Sequence, residues 1–328
     1  MTTPEIDVVT VGNALVDILS AEADRFLERH GLVPGTMNLI DADRAEELYA
    51  DMAPSTEMSG GSAANTAVGV ASLGGRVGYL GRVRDDQLGE VFTHDIRAAG
   101  VQFDTPVATH GQPTGRCLII VTPDAQRTMN TFLGAAAEFG GDDVDGELVK
   151  SAAVTYSEGY LYDQDRAKEA IRSAASACHA GGRRFAFTLS DSFCVERHRA
   201  DFLCLLREEV DVLFANEAEI CALYEENDFD AAAERARANC EVAALTRSEV
   251  GSVVLRHDET HVVPALRIGD VVDTTGAGDL YAAGFLFGLT RGDPLDECGR
   301  LGALAAAEII SHFGARPVTS LAELVRQN

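Results

Sequence analysis

The sequence predicts an α/β fold: a doubly wound, mostly parallel central sheet flanked by helices, with a small β-sheet lid set apart from it. Three observations point there. Residues 6–11, IDVVTV, make a mostly apolar run closed by Gly12, as a strand buried on both faces requires. From residue 154 to 255, short apolar runs alternate with helix-length segments, and repeated βα units imply parallel strands. Residues 115–133 hold two β-rich runs around Thr122-Pro123-Asp124-Ala125-Gln126, the pattern of a hairpin. With an alternating run at 36–40, this hairpin makes a small β unit suited to cover the sheet edge.

The elements follow in order. After the first strand, Asn13-Ala14-Leu15-Val16-Asp17-Ile18 carries two polar groups at a strand's C-terminal end, where ligands bind in open α/β sheets. Ordinary turn and strand-end residues are the plainer alternative. Residues 23–30 form a short amphipathic helix stopped by Gly31, and 42–52 are helical. Gly60-Gly61 make a glycine turn that opens a small-residue helix running to Leu73. Residues 77–80 are a strand, and 87–100 contain a helix ending on glycine. Further on, strands are expected at 154–157, 185–189, 212–215, 242–245 and 252–255, and helices at 165–180, 202–210 and 217–224. An apolar run ending at Val271-Val272 reads as a strand, followed by Asp273-Thr274-Thr275-Gly276-Ala277-Gly278-Asp279 as a small-residue turn into a helix. Asp293 is expected to cap a last long helix, with Pro294 at its first position and Asp296 and Glu297 in its first turn. The chain reads as one α/β domain over 1–328, its lid drawn from about 13–18, 34–41, 54–60 and 108–134.

Composition excludes several classes. Apolar residues make up 46% of the 328, enough for a sizeable core. The formal charge of −25 suits neither nucleic acid nor an anionic membrane. Seven scattered cysteines without a Cys-x-x-Cys pair indicate reduced thiols rather than a disulfide frame or zinc site. Met1-Thr2-Thr3-Pro4-Glu5 has no basic leader character, and a cytoplasmic location is expected. Lysine occurs only at 150 and 168, and Lys150-Ser151 follows Val149, so no Walker loop is present. His198-Arg199-Ala200-Asp201 is not accompanied by Asp-Phe-Gly, which excludes the protein-kinase pattern.

Chemistry concentrates at 273–279. A helix N-terminus offers free N–H groups and partial positive charge, and glycines let a ligand approach the backbone. Gly276, Ala277 and Gly278 thus make an anion seat, yet Asp279 stands beside it. A carboxylate there repels phosphate unless it acts on something, and accepting a proton from an attacking hydroxyl is such a role. Taken alone, a glycine turn with a dipole-capping acid is an equally good reading. Position 281 is Tyr281 where a dinucleotide fingerprint needs a third glycine, which excludes a dehydrogenase.

The seven residues 273–279 match Asp-Thr-x-Gly-Ala-Gly-Asp, and with Gly12-Asn13/Asp17, Gly60-Gly61/Asn65, Asn216/Glu219 and Thr246/Gly251 the chain resembles the ribokinase-like (PfkB-type) sugar and nucleoside kinases along essentially its whole length. Within that family, Gly12 to Ile18, 189–193 and 214–219 look most like adenosine kinases. The resemblance implies Asp279 as catalytic base and the amides of Gly276, Ala277 and Gly278 as an anion hole. It places Asn13, Asp17, Gly60, Gly61 and Asn65 around a sugar, with Tyr160 and Phe193 sandwiching a base and Met37, Leu39, Cys117 and Leu133 closing over it. Arg127 is placed to reach phosphates on closure. Asn216, Thr246, Gly251, Gly276 and Gly278 surround ATP, and Glu219 with Asn216 positions Mg²⁺ through water.

The implied activity is transfer of the γ-phosphoryl group of ATP to the 5′-hydroxyl of a nucleoside, adenosine giving AMP. The alternatives are a ribose- or fructose-like acceptor, another purine nucleoside, or a catalytically silent ligand-binding protein. ATP and Mg²⁺ are the implied cofactors, with a monovalent cation as a further option. The partners are small molecules, and the chain is read as a monomer or a lid-mediated homodimer.

Overall fold

The computed structural model describes residues 4–123 and 126–327. In chain order its strands are β1 (Ile6–Val11), β2 (Leu15–Ala21), β3 (Met37–Leu39), β4 (Thr56–Gly60), β5 (Val77–Leu80), β6 (Gly115–Val121), β7 (Arg127–Phe132), β8 (Ala152–Glu158), β9 (Arg184–Thr188), β10 (Val212–Asn216), β11 (Val242–Thr246), β12 (Ser252–Arg256) and β13 (Glu259–Val263). The α-helices are α1 (Asp24–His30), α2 (Ala42–Asp51), α3 (Ser62–Ser72), α4 (Gln87–Ala98), α5 (Gly146–Ser151), α6 (Asp165–Ala180), α7 (Ser192–Glu208), α8 (Glu217–Tyr224), α9 (Phe229–Arg237), α10 (Ala277–Arg291), α11 (Leu295–Ile309) and α12 (Leu321–Gln327).

Eight strands form the large sheet in the order β13-β12-β11-β10-β9-β8-β1-β5. Its pairs are parallel except β11–β12 and β12–β13. The period of two along β1 explains the two packed layers. Val8 joins one core with Leu280 and Phe285 of α10, while Val9 and Val11 join the other with Ile171 of α6 and Phe202 of α7. That is the doubly wound α/β arrangement expected.

The smaller sheet runs β3-β7-β6-β2-β4. Its outer face packs on α1 and α2, where Ile18, Leu118 and Ile120 meet Phe26, Leu27, Ala45 and Leu48. Burying each of the larger side chains contributes about 1.5–3 kcal/mol, so packing secures this face. Asp124 and Ala125 of the expected hairpin turn lie outside the described residues.

Three expectations need correction, and four elements were not foreseen. The Val271-Val272 run is not a strand: the two side chains are 54% and 38% exposed. The amides of Val272 and Asp273 both donate to Ile310 O beyond α11, so this backbone is held by a helix end instead of a ladder. The sheet's edge is β13, whose exposed, polar-rich sequence ETHVV masked it. The helix expected at 202–210 begins at Ser192, capped by Asp191 through Cys194 N (2.6 Å) and kinked at His198. Asp293 does not cap α11: Pro294 holds that position without a side-chain bond, and Asp293 pairs with Arg291 at 3.5 Å. Helices α5, α9 and α12 were not anticipated.

Candidate active site

The first turns of α3 and α10 meet around one carboxylate. Asp279, third residue of α10, accepts Ser62 Oγ at 2.6 Å on one oxygen and Asn65 Nδ2 at 2.9 Å on the other. Thr66 Oγ1 donates to its backbone carbonyl at 3.2 Å, which locks the two helices together. Burial raises the pKa of Asp279, and the two side-chain bonds and the charge of Arg316 oppose that rise.

Asp17 approaches from β2. Its carboxyl rests directly against Gly60, where a Cβ would sit 2.3 Å away, so only glycine fits beside it. Burial pushes Asp17 up to about 6, while Arg316 and Arg127 pull it down and Asp279 adds to the rise. Asn65 Oδ1 is buried without a hydrogen-bond partner. An orphaned acceptor of this kind is suited to a ligand donor.

The turn 273–276 is organised by Asp273. One of its oxygens accepts Thr275 N and Thr275 Oγ1 (3.0 and 2.8 Å). The other accepts Gly314 N at 3.0 Å and pairs with Arg127 of β7 at 2.5 Å. Gly276 adopts φ 78° at the start of α10, a conformation that favours glycine. A Cβ on Gly278 would meet nothing within 4 Å, so open space faces that part of the helix start. The Ala277 amide donates to Thr274 O at 3.2 Å, closing the turn.

These groups share one cavity of about 1110 Å³, slightly above the roughly 300–1,000 Å³ usual for a single small ligand. At one end it is lined by Asn13, Asp17, Gly61, Asn65, Tyr160 and the apolar side chains Leu15, Met37, Leu39, Cys117, Ile119, Met129 and Leu133. At the other it is lined by Asn216, Glu219, Thr246, Gly251 and the 274–279 turn.

A family model, pfkB family carbohydrate kinase, matches residues 32–321. The chain belongs to the pfkB family of carbohydrate kinases. It is similar to an adenosine kinase from Sinorhizobium meliloti, with 57% identity, 98% of this chain and 99% of that one covered, and a TM-score of 0.93. It is also similar to a probable sugar kinase from Rhizobium etli CFN 42, with 53% identity, coverage of 99% and 98%, and a TM-score of 0.94. A 5-dehydro-2-deoxygluconokinase from Shouchella clausii is 28% identical over 338 residues, 98% of this chain and 94% of its own. This pfkB kinase is therefore a phosphotransferase that uses ATP to phosphorylate a hydroxyl of a sugar or nucleoside.

The structure brings together most of the residues singled out in the sequence, with three departures. Phe193 is 70% exposed and lies outside the cavity lining, because the first turn of α7 turns Cys194 and Val195 inward instead. Tyr160 does line the cavity, its hydroxyl donating to Ser190 O at 3.4 Å. Arg127, expected to reach phosphates, is instead nearly buried against Asp273 in this structure, with its guanidinium 5.7 Å from the Phe313 ring centre. Gly60 supports Asp17 from behind and is not itself a lining residue.

Asn216 and Glu219 form a capping box at α8. Asn216 Oδ1 accepts Glu219 N at 2.9 Å, Glu219 Oε2 accepts Asn216 N at 3.0 Å, and Asn216 Nδ2 donates to Glu219 Oε1. Burial, reinforced by Asp191 and Asp279, pushes Glu219 up to about 7. No group of three His, Cys, Asp or Glu side chains forms a metal cage among the described residues. Mg²⁺ does not need one, since it keeps several waters and takes few carboxylates. Glu219 faces the cavity with lone pairs beyond the two that Asn216 uses, so the residues fit a water-bridged ion.

Sequence reasoning missed Glu158, Ser62 and Arg316. Glu158 ends β8, is 1% exposed, and accepts Asn13 N and Nδ2 on Oε1 (3.0 and 2.9 Å) and Ala63 N on Oε2 (2.7 Å). Burial pushes it up to about 7, against the amides that favour its charged form. A carboxylate at the C-terminal end of a strand beside β1 was the signal available for it. Among the described residues no helix is long and apolar enough to cross a membrane.

Proposed function

We propose that this kinase transfers the γ-phosphoryl group of ATP to the 5′-hydroxyl of adenosine, forming AMP and ADP. The observation that carries the choice of acceptor is the wall of Met37, Leu39, Cys117, Ile119, Met129 and Leu133 facing Asp17 and Asn65. An apolar slot beside hydroxyl acceptors suits a flat base joined to a vicinal diol. The same end carries Asp17 and Glu158, and among the described lining residues the only basic side chain is Arg267, beside Ala265 and Leu266. A sugar acid would bring its carboxylate against acids there, which favours a neutral acceptor.

In this reading the 5′-hydroxyl oxygen attacks the γ-phosphorus, the bond to the β-phosphate oxygen breaks, and Asp279 takes the hydroxyl proton. Asp17 and Asn65 Oδ1 accept the ribose hydroxyls, and Asn13 and Gly61 border the sugar. The helix start at Gly276 to Gly278 faces the charge developing on the transferred group. Thr246 and Gly251 border the nucleotide. Glu219 and Asn216 would hold Mg²⁺ through water; when bound, the ion neutralises phosphate charge. Arg127 exchanges Asp273 for the phosphates as the smaller sheet closes. Segments 13–18, 34–41, 54–60 and 108–134 act as a lid on one domain, excluding water so that ATP is not hydrolysed. The protein works in the cytoplasm in purine salvage. Helices α1 and α2 cover the lid's outer face, which favours a monomer over a lid-paired dimer.

ADP release measured with adenosine, other nucleosides, ribose, fructose and 5-dehydro-2-deoxygluconate tests this. Adenosine should give the highest kcat/KM. A sugar or sugar acid that outcompetes it would sink the nucleoside reading, and no ADP release with any acceptor would indicate a binding protein.

A further inference from the structure

Arg316 lies in the loop after α11, outside every motif visible in the sequence. Its guanidinium donates from Nε and Nη2 to Ser59 O (3.1 and 2.9 Å), from Nη2 to Ser59 Oγ (3.1 Å) and from Nη1 to Ala64 O (2.7 Å). These acceptors bracket the turn at 59–65. The same turn touches both acids of the acceptor site: Asp17 rests on Gly60, and Asp279 bonds Ser62 and Asn65. Ser59 is held from a further direction, its amide donating to Asp95 at 3.0 Å. The loop bearing Arg316 is tied at both ends, through Gly314 N to Asp273 and through Val318 N and Thr319 N to the buried Glu308.

The arrangement suits arginine specifically. A rigid planar fork holds two carbonyls at a fixed separation, which a lysine ammonium cannot do. All four bonds go to neutral oxygens, so the buried charge needs carboxylates nearby. The groups facing it are Asp17 from β2, Asp279 from α10, Tyr79 from β5 and Asp95 from α4. Arg127 of β7 also faces Asp17, and Glu158 of β8 also faces Asp279.

We propose that Arg316 is a positioning residue for phosphoryl transfer: it clamps the 59–65 turn, and its charge lets Asp17 and Asp279 stay ionised side by side in the acceptor site. The inference rests on Asp279 serving as the base. Removing the charge raises both carboxyls, and a base that must be deprotonated then works only at higher pH. The acid limb of the rate profile therefore moves upward.

The test is the pH dependence of kcat and kcat/KM for the full chain, Arg316→Met, Arg316→Lys and Asp279→Asn, with whichever acceptor the wild type turns over. Arg316→Met should shift the acid limb up by about one pH unit and lower kcat roughly ten- to hundredfold. Arg316→Lys should keep the wild-type limb while still losing kcat, since charge remains and the fork is gone. An Arg316→Met enzyme with an unmoved limb overturns the electrostatic role, even if its kcat falls. If Arg316→Met shows no cooperative thermal transition, Arg316→Lys decides: a wild-type kcat there overturns the clamp. Turnover retained by Asp279→Asn would overturn the base assignment itself, an outcome separate from the others.

Discussion

The two ends of the cavity are built by different means. The anion end is mostly backbone: the 273–279 turn, the start of α10 and Gly251, with Asp273 fastening Thr275 two residues away as well as Gly314 and Arg127. The acceptor end is side chains from distant segments, joined by bonds spanning 95 to 217 residues. A backbone seat depends on local conformation, so conformation is what disrupts it. A side-chain site depends on the whole fold, so single functional groups disrupt it.

The sharpest way to break the comparison is at a residue that serves both ends. Asp279→Asn should lower kcat roughly 10²–10⁴-fold while acceptor binding, followed by calorimetry, changes little. Full activity in that variant would remove the acid from the chemistry. Next is the anion end alone. Gly276→Ala places a side chain at φ 78° and a Cβ 3.0 Å from that of Ala315. The expected result is a fall in kcat of roughly a hundredfold with the acceptor's KM within about threefold. An equal change in acceptor KM would mean the two ends are not separable.

The smallest effect belongs to the acceptor end. In Glu158→Gln the amide nitrogen cannot accept, so the bonds from Asn13 and Ala63 are not all satisfied, at a cost of about 1–3 kcal/mol. Thermal melting reads this as a lower Tm, with a raised acceptor KM. It also has a pH signature. The folded pKa of about 7 lies above the ordinary 4.5, so this group's stabilisation is full below about 4.5 and is lost as pH rises through about 7. Asp17, raised to about 6, and Glu219, raised to about 7, act in the same direction. The Tm of the ligand-free protein should therefore fall between pH 5 and 7.5, and less steeply in Glu158→Gln. A slope unchanged by that substitution would place the titration elsewhere.

The same contrast explains what was legible beforehand. Asp273 to Asp279 and the Asn216–Glu219 box are local patterns whose geometry follows from a few neighbours, and the hairpin and β1 follow from period and turn chemistry. Glu158 and Arg316 have no such local pattern. Each matters because of partners 95 to 257 residues away, and one chain without its contacts gives no reason to prefer them over other acids and arginines. Hydrophobicity also misled in both directions. Val271-Val272 read as a strand and Phe193 as part of a pocket, yet all three are exposed, whereas the half-polar β13 is a true strand.

The bonds of Glu158 also set an order in time. As the chain is synthesised, Asn13, Asp17, the 59–65 turn and the apolar wall up to Leu133 emerge first. The carboxylate that ties Asn13 to Ala63 comes next, and Asp279 and Arg316 much later. The nascent chain up to Leu133 therefore holds most of the acceptor's walls but not Glu158, Asp279 or Arg316, which fasten them. The pocket is completed last, when the C-terminal helices bring Asp279 and Arg316 onto walls that are already made.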